Sequence, residues 1–137
     1  MDLRRRIIFS LEKTYCRIKK SRLGGVGVFA IRGIPKGADP FPMVKKQEWA
    51  EINVSQMKRV HPEALKMVYD FFSVEKDGTA WVPEYALNGM DISFFLNHSE
   101  RPNLKRLKSG NYRATRKVSK GEELFTDYRT FDPHFRL

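Results

Sequence analysis

Side chains able to do chemistry gather in the run Asn97-His98-Ser99-Glu100-Arg101-Pro102-Asn103. It follows Asp91-Ile92-Ser93-Phe94-Phe95-Leu96, a mostly apolar run that reads as buried. Polar, turn-forming residues directly after buried hydrophobics leave side-chain amides and an imidazole at a core edge. A buried polar atom without a partner costs about 1–3 kcal/mol, so these groups bond either to the protein's own backbone or to a ligand. Ser99 and His98 do not read as nucleophile and base, because adjacent residues rarely face each other and no Gly-x-Ser-x-Gly elbow is present. His61, His98 and His134 lie far apart without metal-ligand spacing, and the one cysteine, Cys16, can build neither a Cys-rich metal site nor an internal disulfide. Hydrolase chemistry and a metal centre are both poor fits.

The elements that must position this run read as a β-rich α+β domain of many short strands with one inserted helix. Tyr15 to Lys19 alternates large and charged residues as a half-buried strand does. Gly24-Gly25-Val26-Gly27 reads as a turn feeding a short buried strand, Val28 to Ile31, and Ile34-Pro35-Lys36-Gly37 as a second turn. Lys45 to Glu51 is read as one or two helical turns. Pro62 to Phe72 is the strongest helix, with Pro62 in its first turn and Leu65, Val68 and Phe72 at helical spacing. Asp77-Gly78 marks a hairpin turn into Trp81-Val82. Asn103 to Leu107 and Tyr112 to Thr115 flank Ser109-Gly110-Asn111 as a hairpin, and Val118 to Glu123 turns into a strand at Leu124-Phe125-Thr126.

Bulk properties narrow the class. A chain of 137 residues with 41% hydrophobic content is read as one domain able to carry its own core. A single thiol fits a reducing compartment, cytoplasmic or nuclear. Basic residues precede an apolar run at Ile7 to Leu11, but the run is shorter than the roughly 7–15 residues of a signal peptide. No stretch approaches the ~18 apolar residues of a membrane span. Two glycosylation sequons, at Asn53 and Asn97, are of a kind that chance supplies often. The formal charge of +10 suits an acidic partner, nucleic acid or an assembly on it, as well as it suits a solvated surface.

Three separated stretches taken in order are more specific than any alone. Gly25-Val26-Gly27-Val28-Phe29-Ala30, Phe95-Leu96-Asn97-His98-Ser99-x-x-Pro102-Asn103 and Gly121-Glu122-Glu123-Leu124-x-x-Asp127-Tyr128 together resemble the SET domain of protein-lysine methyltransferases. No long helix follows the glycine turn, so the dinucleotide-binding fingerprint fails its structural test. The resemblance spans about Tyr15 to Tyr128 and implies several small sheets, with a knot-like crossing of the Asn97 and Tyr128 segments. It further implies a core over about 15–128, a variable insert over about 42–84 that shapes the substrate groove, and a tail over 129–137. The implied cofactor is S-adenosyl-L-methionine, and the implied reaction is methyl transfer to the side-chain amine of a lysine in a protein substrate.

The same resemblance assigns roles residue by residue. Gly25, Val26 and Gly27 match the loop that approaches the cofactor, where a β-carbon would collide. Asn97 and His98 match the pair that bonds its amino-acid part and adenine edge, and Phe131 or Phe135 is the aromatic that would stack on adenine. Tyr128 matches the catalytic tyrosine that orients amine and methyl group. Tyr85, Phe94, Phe95 and Thr126 are candidates for the wall of the substrate channel, with core packing the alternative for the first three. Thr126 stands where relatives often carry Phe or Tyr, Phe94 stands where many carry arginine, and no cysteine follows Tyr128, so a zinc-binding tail is absent. The substrate class is a histone or another nucleic-acid-associated protein; a basic tail would be repelled at +10 unless its groove is locally acidic, as Glu48, Glu51 and Glu84 allow. Two alternatives belong to other classes: a catalytically inactive SET-fold module binding a basic or nucleic-acid-associated partner, and a small nucleic-acid-binding domain resting on charge alone. So short a chain can also complete its groove as a homodimer.

Overall fold

The structure, a computed structural model, describes residues 2–42 and 47–130. The chain folds as two compact units, Met1–Val44 with Phe95–Tyr128, and Lys45–Phe94 with Arg129–Leu137. Small sheets dominate both, as the sequence predicts.

The first unit opens with a helix that the sequence reading did not anticipate, α1 over Leu3–Glu12. Asp2 caps it, its side chain accepting from the Arg5 N–H at 2.9 Å. None of its residues is buried, although Leu3, Ile7, Ile8 and Leu11 recur at helical spacing. Strands β1 (Cys16–Lys20), β2 (Val26–Ala30), β5 (Asn97–His98) and β8 (Glu123–Thr126) form one sheet in the order β1-β2-β8-β5. β1 and β2 pair antiparallel from Cys16↔Ala30 to Lys20↔Val26, so Val26 and Gly27, expected in the turn, already belong to the strand. β2 pairs antiparallel with β8, Val28 opposite Leu124. β5 pairs parallel with β8, Asn97 beside Phe125 and His98 beside Thr126. That parallel pair brings together the two segments expected to cross.

Strand periodicity sorts the residues of this sheet between two faces. Val28, Ala30, Leu124 and Thr126 take one face and are buried to 3% exposure or less. Gly27, Glu123 and Phe125 take the other. Leu96, Leu104, Ala114, Val118 and Ile34 complete the buried core of this unit. The predicted hairpin forms as β6 (Leu104–Arg106) and β7 (Tyr112–Ala114), paired Leu104↔Ala114. Ile34 and Val118 exchange both backbone hydrogen bonds, at 2.8 and 2.9 Å, which fixes the two turns read at Pro35–Gly37 and Ser119–Gly121. Cys16 is buried, and burial pushes its thiol up to about 12. A thiol held that far from ionisation is a poor nucleophile and behaves as a small core residue.

In the second unit, β3 (Trp49–Asn53) pairs antiparallel with β4 (Thr79–Pro83), from Trp49↔Pro83 to Asn53↔Thr79. The helical turns expected over Lys45 to Glu51 are therefore corrected: Trp49 to Glu51 are strand, and Lys45 and Lys46 lie outside the described residues. The partner strand supplies hydrogen bonds thirty residues away, which local propensity does not register. Helix α2 (Pro62–Phe71) forms as predicted, with Pro62 in its first turn and His61 Nδ1 accepting from the Glu63 N–H at 3.1 Å. Val68, Phe72, Ala80 and Val82 make the buried core, with Ile52, Met57, Leu87 and Phe94 packed on it. The Asp77-Gly78 hairpin is present, Gly78 at φ +89° and Val74 bridging Ala80. Among the described residues no helix is long and apolar enough to cross a membrane.

Candidate active site

The site is built on the face of the first unit's sheet that carries Gly27, Asn97 and Glu123. The glycine turn is closed locally. The Ser21 N–H donates to Gly25 O at 2.9 Å, the Gly24 N–H to Ser21 O at 3.2 Å, and the Leu23 N–H to Ser21 Oγ at 3.1 Å. Gly24 and Gly25 stand at φ +94° and +61°, and a β-carbon on either would meet no protein atom within 4 Å. The protein itself therefore requires glycine at these two positions for backbone angle and not for space. Within the protein itself, the close approach is at Gly27. A β-carbon there would strike the Glu123 carboxylate and stand 3.0 Å from Asn97 Nδ2.

Two residues to which the sequence assigns no role, Ser21 and Glu123, organise this contact. Glu123 accepts from Ser21 Oγ through Oε1 and from Asn97 Nδ2 through Oε2, both at 2.8 Å. Asn97 Nδ2 donates a second bond to Val26 O at 3.0 Å. Both hydrogens of the amide nitrogen are thus committed, which fixes which way the amide faces. None of these bonds engages Oδ1, so Asn97 offers an acceptor to whatever lies beside the glycine turn. Ser21 and Glu123 are 102 residues apart in sequence, and no local spacing links them.

His98 lies on β5 next to Asn97, and its imidazole has an internal duty. Nδ1 accepts from the Tyr128 N–H at 3.0 Å. An accepting Nδ1 assigns the ring proton of neutral imidazole to Nε2. Nδ1 also lies 3.7 Å from Asp127 Oδ1, too long for a hydrogen bond. The expected bond from His98 to an adenine edge thus has only its backbone groups or Nε2 to use. The Tyr128 hydroxyl donates to the Leu96 carbonyl oxygen. A hydroxyl has one hydrogen and two lone pairs, so what remains for a ligand at Tyr128 is acceptor capacity. Burial raises the phenol above its ordinary value, which keeps it protonated at neutral pH.

Asn103 secures the strand beneath these groups. It is buried at 3% exposure, donates from Nδ2 to Glu123 O at 2.9 Å, and accepts from the Phe125 N–H at Oδ1 at 2.8 Å. It brackets Leu124 and holds the two ends of the Glu123–Phe125 segment. Ser99 accepts from the Arg101 N–H at 3.0 Å and shapes its own turn.

The structure brings Gly25, Val26, Gly27, Asn97, His98 and Tyr128 together through β2, β5 and β8. Thr126 shares their unit but sits on the buried face of β8 at 1% exposure, beside Leu124. Phe95 belongs to the same unit and is half-buried. Tyr85 and Phe94 belong to the second unit. Phe94 packs edge-on against Phe72 with centroids 6.0 Å apart, in that unit's core, while Tyr85 is 52% exposed. Phe131 and Phe135 lie outside the described residues. Among the described residues no group of three histidine, cysteine or acidic side chains is placed to hold a metal.

Known proteins share this fold. A Plasmodium falciparum protein described as a histone methyltransferase shares 22% identity over 84% of this chain and 93% of its own, with a TM-score of 0.51. A humanized mutant of the Chaetomium thermophilum Polycomb Repressive Complex 2, bound to the inhibitor GSK126, shares 20% identity over 88% of this chain at a TM-score of 0.53. The match takes in only 16% of that second chain, and at these identities both show the fold alone. No curated protein matches the sequence. The family model of the SET domain matches residues 25–129, from the glycine turn past Tyr128. On that match, and with its fold, this chain belongs to the SET-domain family.

Proposed function

We propose that the chain is a protein-lysine N-methyltransferase that uses S-adenosyl-L-methionine. The observation that carries the reading is the amide of Asn97, whose Nδ2 is locked by Val26 O and Glu123 so that Oδ1 is the atom it can turn to a ligand, as an acceptor. An acceptor of this kind suits the α-ammonium of an amino-acid ligand. The residues present therefore fit the cofactor, which when bound supplies an electrophilic methyl group. Gly25, Val26, Gly27 and Asn97 would hold its amino-acid part, and the backbone at His98 would meet its base.

What the protein adds is positioning and dryness. The lysine must present a neutral amine, and at an ordinary pKa near ~10.4 well under ~1% of it is neutral at pH 7. An apolar surrounding disfavours the ammonium and raises that fraction. Tyr128, protonated and tied by its hydrogen to Leu96 O, keeps oxygen lone pairs to accept from the amine N–H and aim its nitrogen. Alignment of this kind carries most of the benefit in a direct displacement.

The substrate class is a histone or another nucleic-acid-associated protein, met in the nucleus or cytoplasm; the +10 charge suits a substrate that rests on nucleic acid. The test is transfer of labelled methyl groups to basic proteins by wild type and Tyr128→Phe. Turnover should fall on the order of 10²-fold in the variant, with donor affinity measured calorimetrically unchanged. Absence of donor binding in the wild type would favour the inactive binding module, and full activity of Tyr128→Phe would remove Tyr128 from the mechanism.

A further inference from the structure

The hairpin of the second unit has two unlike faces. In the antiparallel register Glu51 lies opposite Trp81, and Trp49 opposite Pro83. Trp49, Glu51 and Trp81 therefore share one face, while Ile52, Ala80 and Val82 share the other and pack on α2's core. Trp49 is 46% and Trp81 55% exposed, high values for tryptophan. Diagonal neighbours of this kind have their β-carbons about 7–8 Å apart, so the two indoles flank the Glu51 carboxylate. Among the described residues no lysine or arginine pairs with Glu51, and no cation lies over either indole. Glu48 and Glu84, both exposed, lie just beyond the Trp49–Pro83 end of the hairpin, where the Glu84 N–H donates to Glu48 O at 2.8 Å.

The charge of the chain singles out the same place. Residues 45–94 hold 6 lysines and arginines against 8 aspartates and glutamates, a net −2 in a chain of net +10. An exposed aromatic face around an unpaired carboxylate suits lysine and arginine side chains, which gain from an indole face and from the carboxylate together. We propose that the Trp49–Glu51–Trp81 face docks a lysine- and arginine-rich segment of a partner protein. The inference rests on the proposed function only in identifying that partner as the methylation substrate. The face offers a place where a basic segment meets attraction in a protein that otherwise repels it.

Both tryptophans of the chain lie on this face, so intrinsic tryptophan fluorescence reports on it directly. The experiment titrates the full chain, without methyl donor, with a ten-residue lysine/arginine peptide free of tryptophan and tyrosine. A saturable change in tryptophan emission that weakens with salt is expected, and none from a glutamate-rich peptide of equal length. Affinities of the labelled basic peptide, read by anisotropy, should fall roughly two- to fivefold in Glu51→Gln and in Trp81→Ala. Glu51→Gln keeps the side chain's shape and guards against a folding defect in Trp81→Ala. Unchanged emission with the basic peptide, equal response to the acidic peptide or to duplex DNA, or full affinity in Glu51→Gln would each overturn the proposal. Because no donor is present, failure of methyl transfer and failure of docking register separately.

Discussion

At the scale of single residues, the most consequential group is the Glu123 carboxylate. It fills the place that a β-carbon on Gly27 would need and holds the Asn97 amide in one orientation. Glutamine at 123 keeps one acceptor oxygen but turns an NH₂ toward either Ser21 Oγ or Asn97 Nδ2. The lock on Asn97 is then half lost, and donor affinity in Glu123→Gln should fall by roughly 5- to 30-fold, about 1–2 kcal/mol. Gly27→Ala reaches the same end by another route, because its methyl displaces the flexible end of Glu123. The two losses should therefore not add in the double variant. Calorimetry of the donor with the four proteins of this cycle checks it; additive losses would mean that Glu123 and Gly27 act on separate features. Asn97 and Gly27 were visible in the sequence because they fall within a recognisable word. Glu123 falls within such a word too, but its role, like that of Ser21, was not legible, since it is a contact across 102 residues.

At the scale of elements, β8 carries the site and Asn103 anchors β8. Its two hydrogen bonds, to Glu123 O and from the Phe125 N–H, are buried. Asn103→Ala leaves both backbone groups unsatisfied, and unfolding free energy should drop by about 2–4 kcal/mol, measured by denaturant titration. Asn103→Asp keeps the acceptor for Phe125 but faces Glu123 O with a second acceptor, so it should be no better than alanine. A loss under about 1 kcal/mol in Asn103→Ala would show that water or a neighbour takes over these groups. Elements whose residues signal locally were legible: α2 through Pro62 and its apolar spacing, and the hairpins through Asp77-Gly78 and Ser109-Gly110-Asn111. β3 was misread because Trp49 to Asn53 become a strand only through pairing with Thr79 to Pro83. Helix α1 was legible but passed over: Leu3, Ile7, Ile8 and Leu11 recur at helical spacing, yet the run was weighed only as a signal peptide, and all four are at least 50% exposed.

At the scale of the whole molecule, the uneven distribution of charge is the property with the widest reach. Outside residues 45–94 the chain holds 20 lysines and arginines against 8 acidic residues, a net +12. Three of the cations, Arg4, Arg5 and Arg6, sit on α1, no residue of which is buried, so they can be replaced with little structural penalty. A substrate resting on nucleic acid would bring its phosphates to such a surface, which neutralises them and releases counterions. Duplex DNA should accordingly bind without sequence preference and with affinity falling steeply as salt rises. Replacing Arg4, Arg5 and Arg6 by glutamine should make the slope of log affinity against log salt shallower by up to about 3, near 0.9 per lost phosphate contact. That DNA should leave tryptophan emission unchanged, because both indoles lie on the acidic stretch and not among the cations. Anisotropy of a labelled duplex across a salt series measures the slope. A salt-independent affinity would reduce the +10 charge to a device for solubility, and an unaltered slope in the triple variant would move the phosphate contacts to the basic residues of β1, β6 and β7.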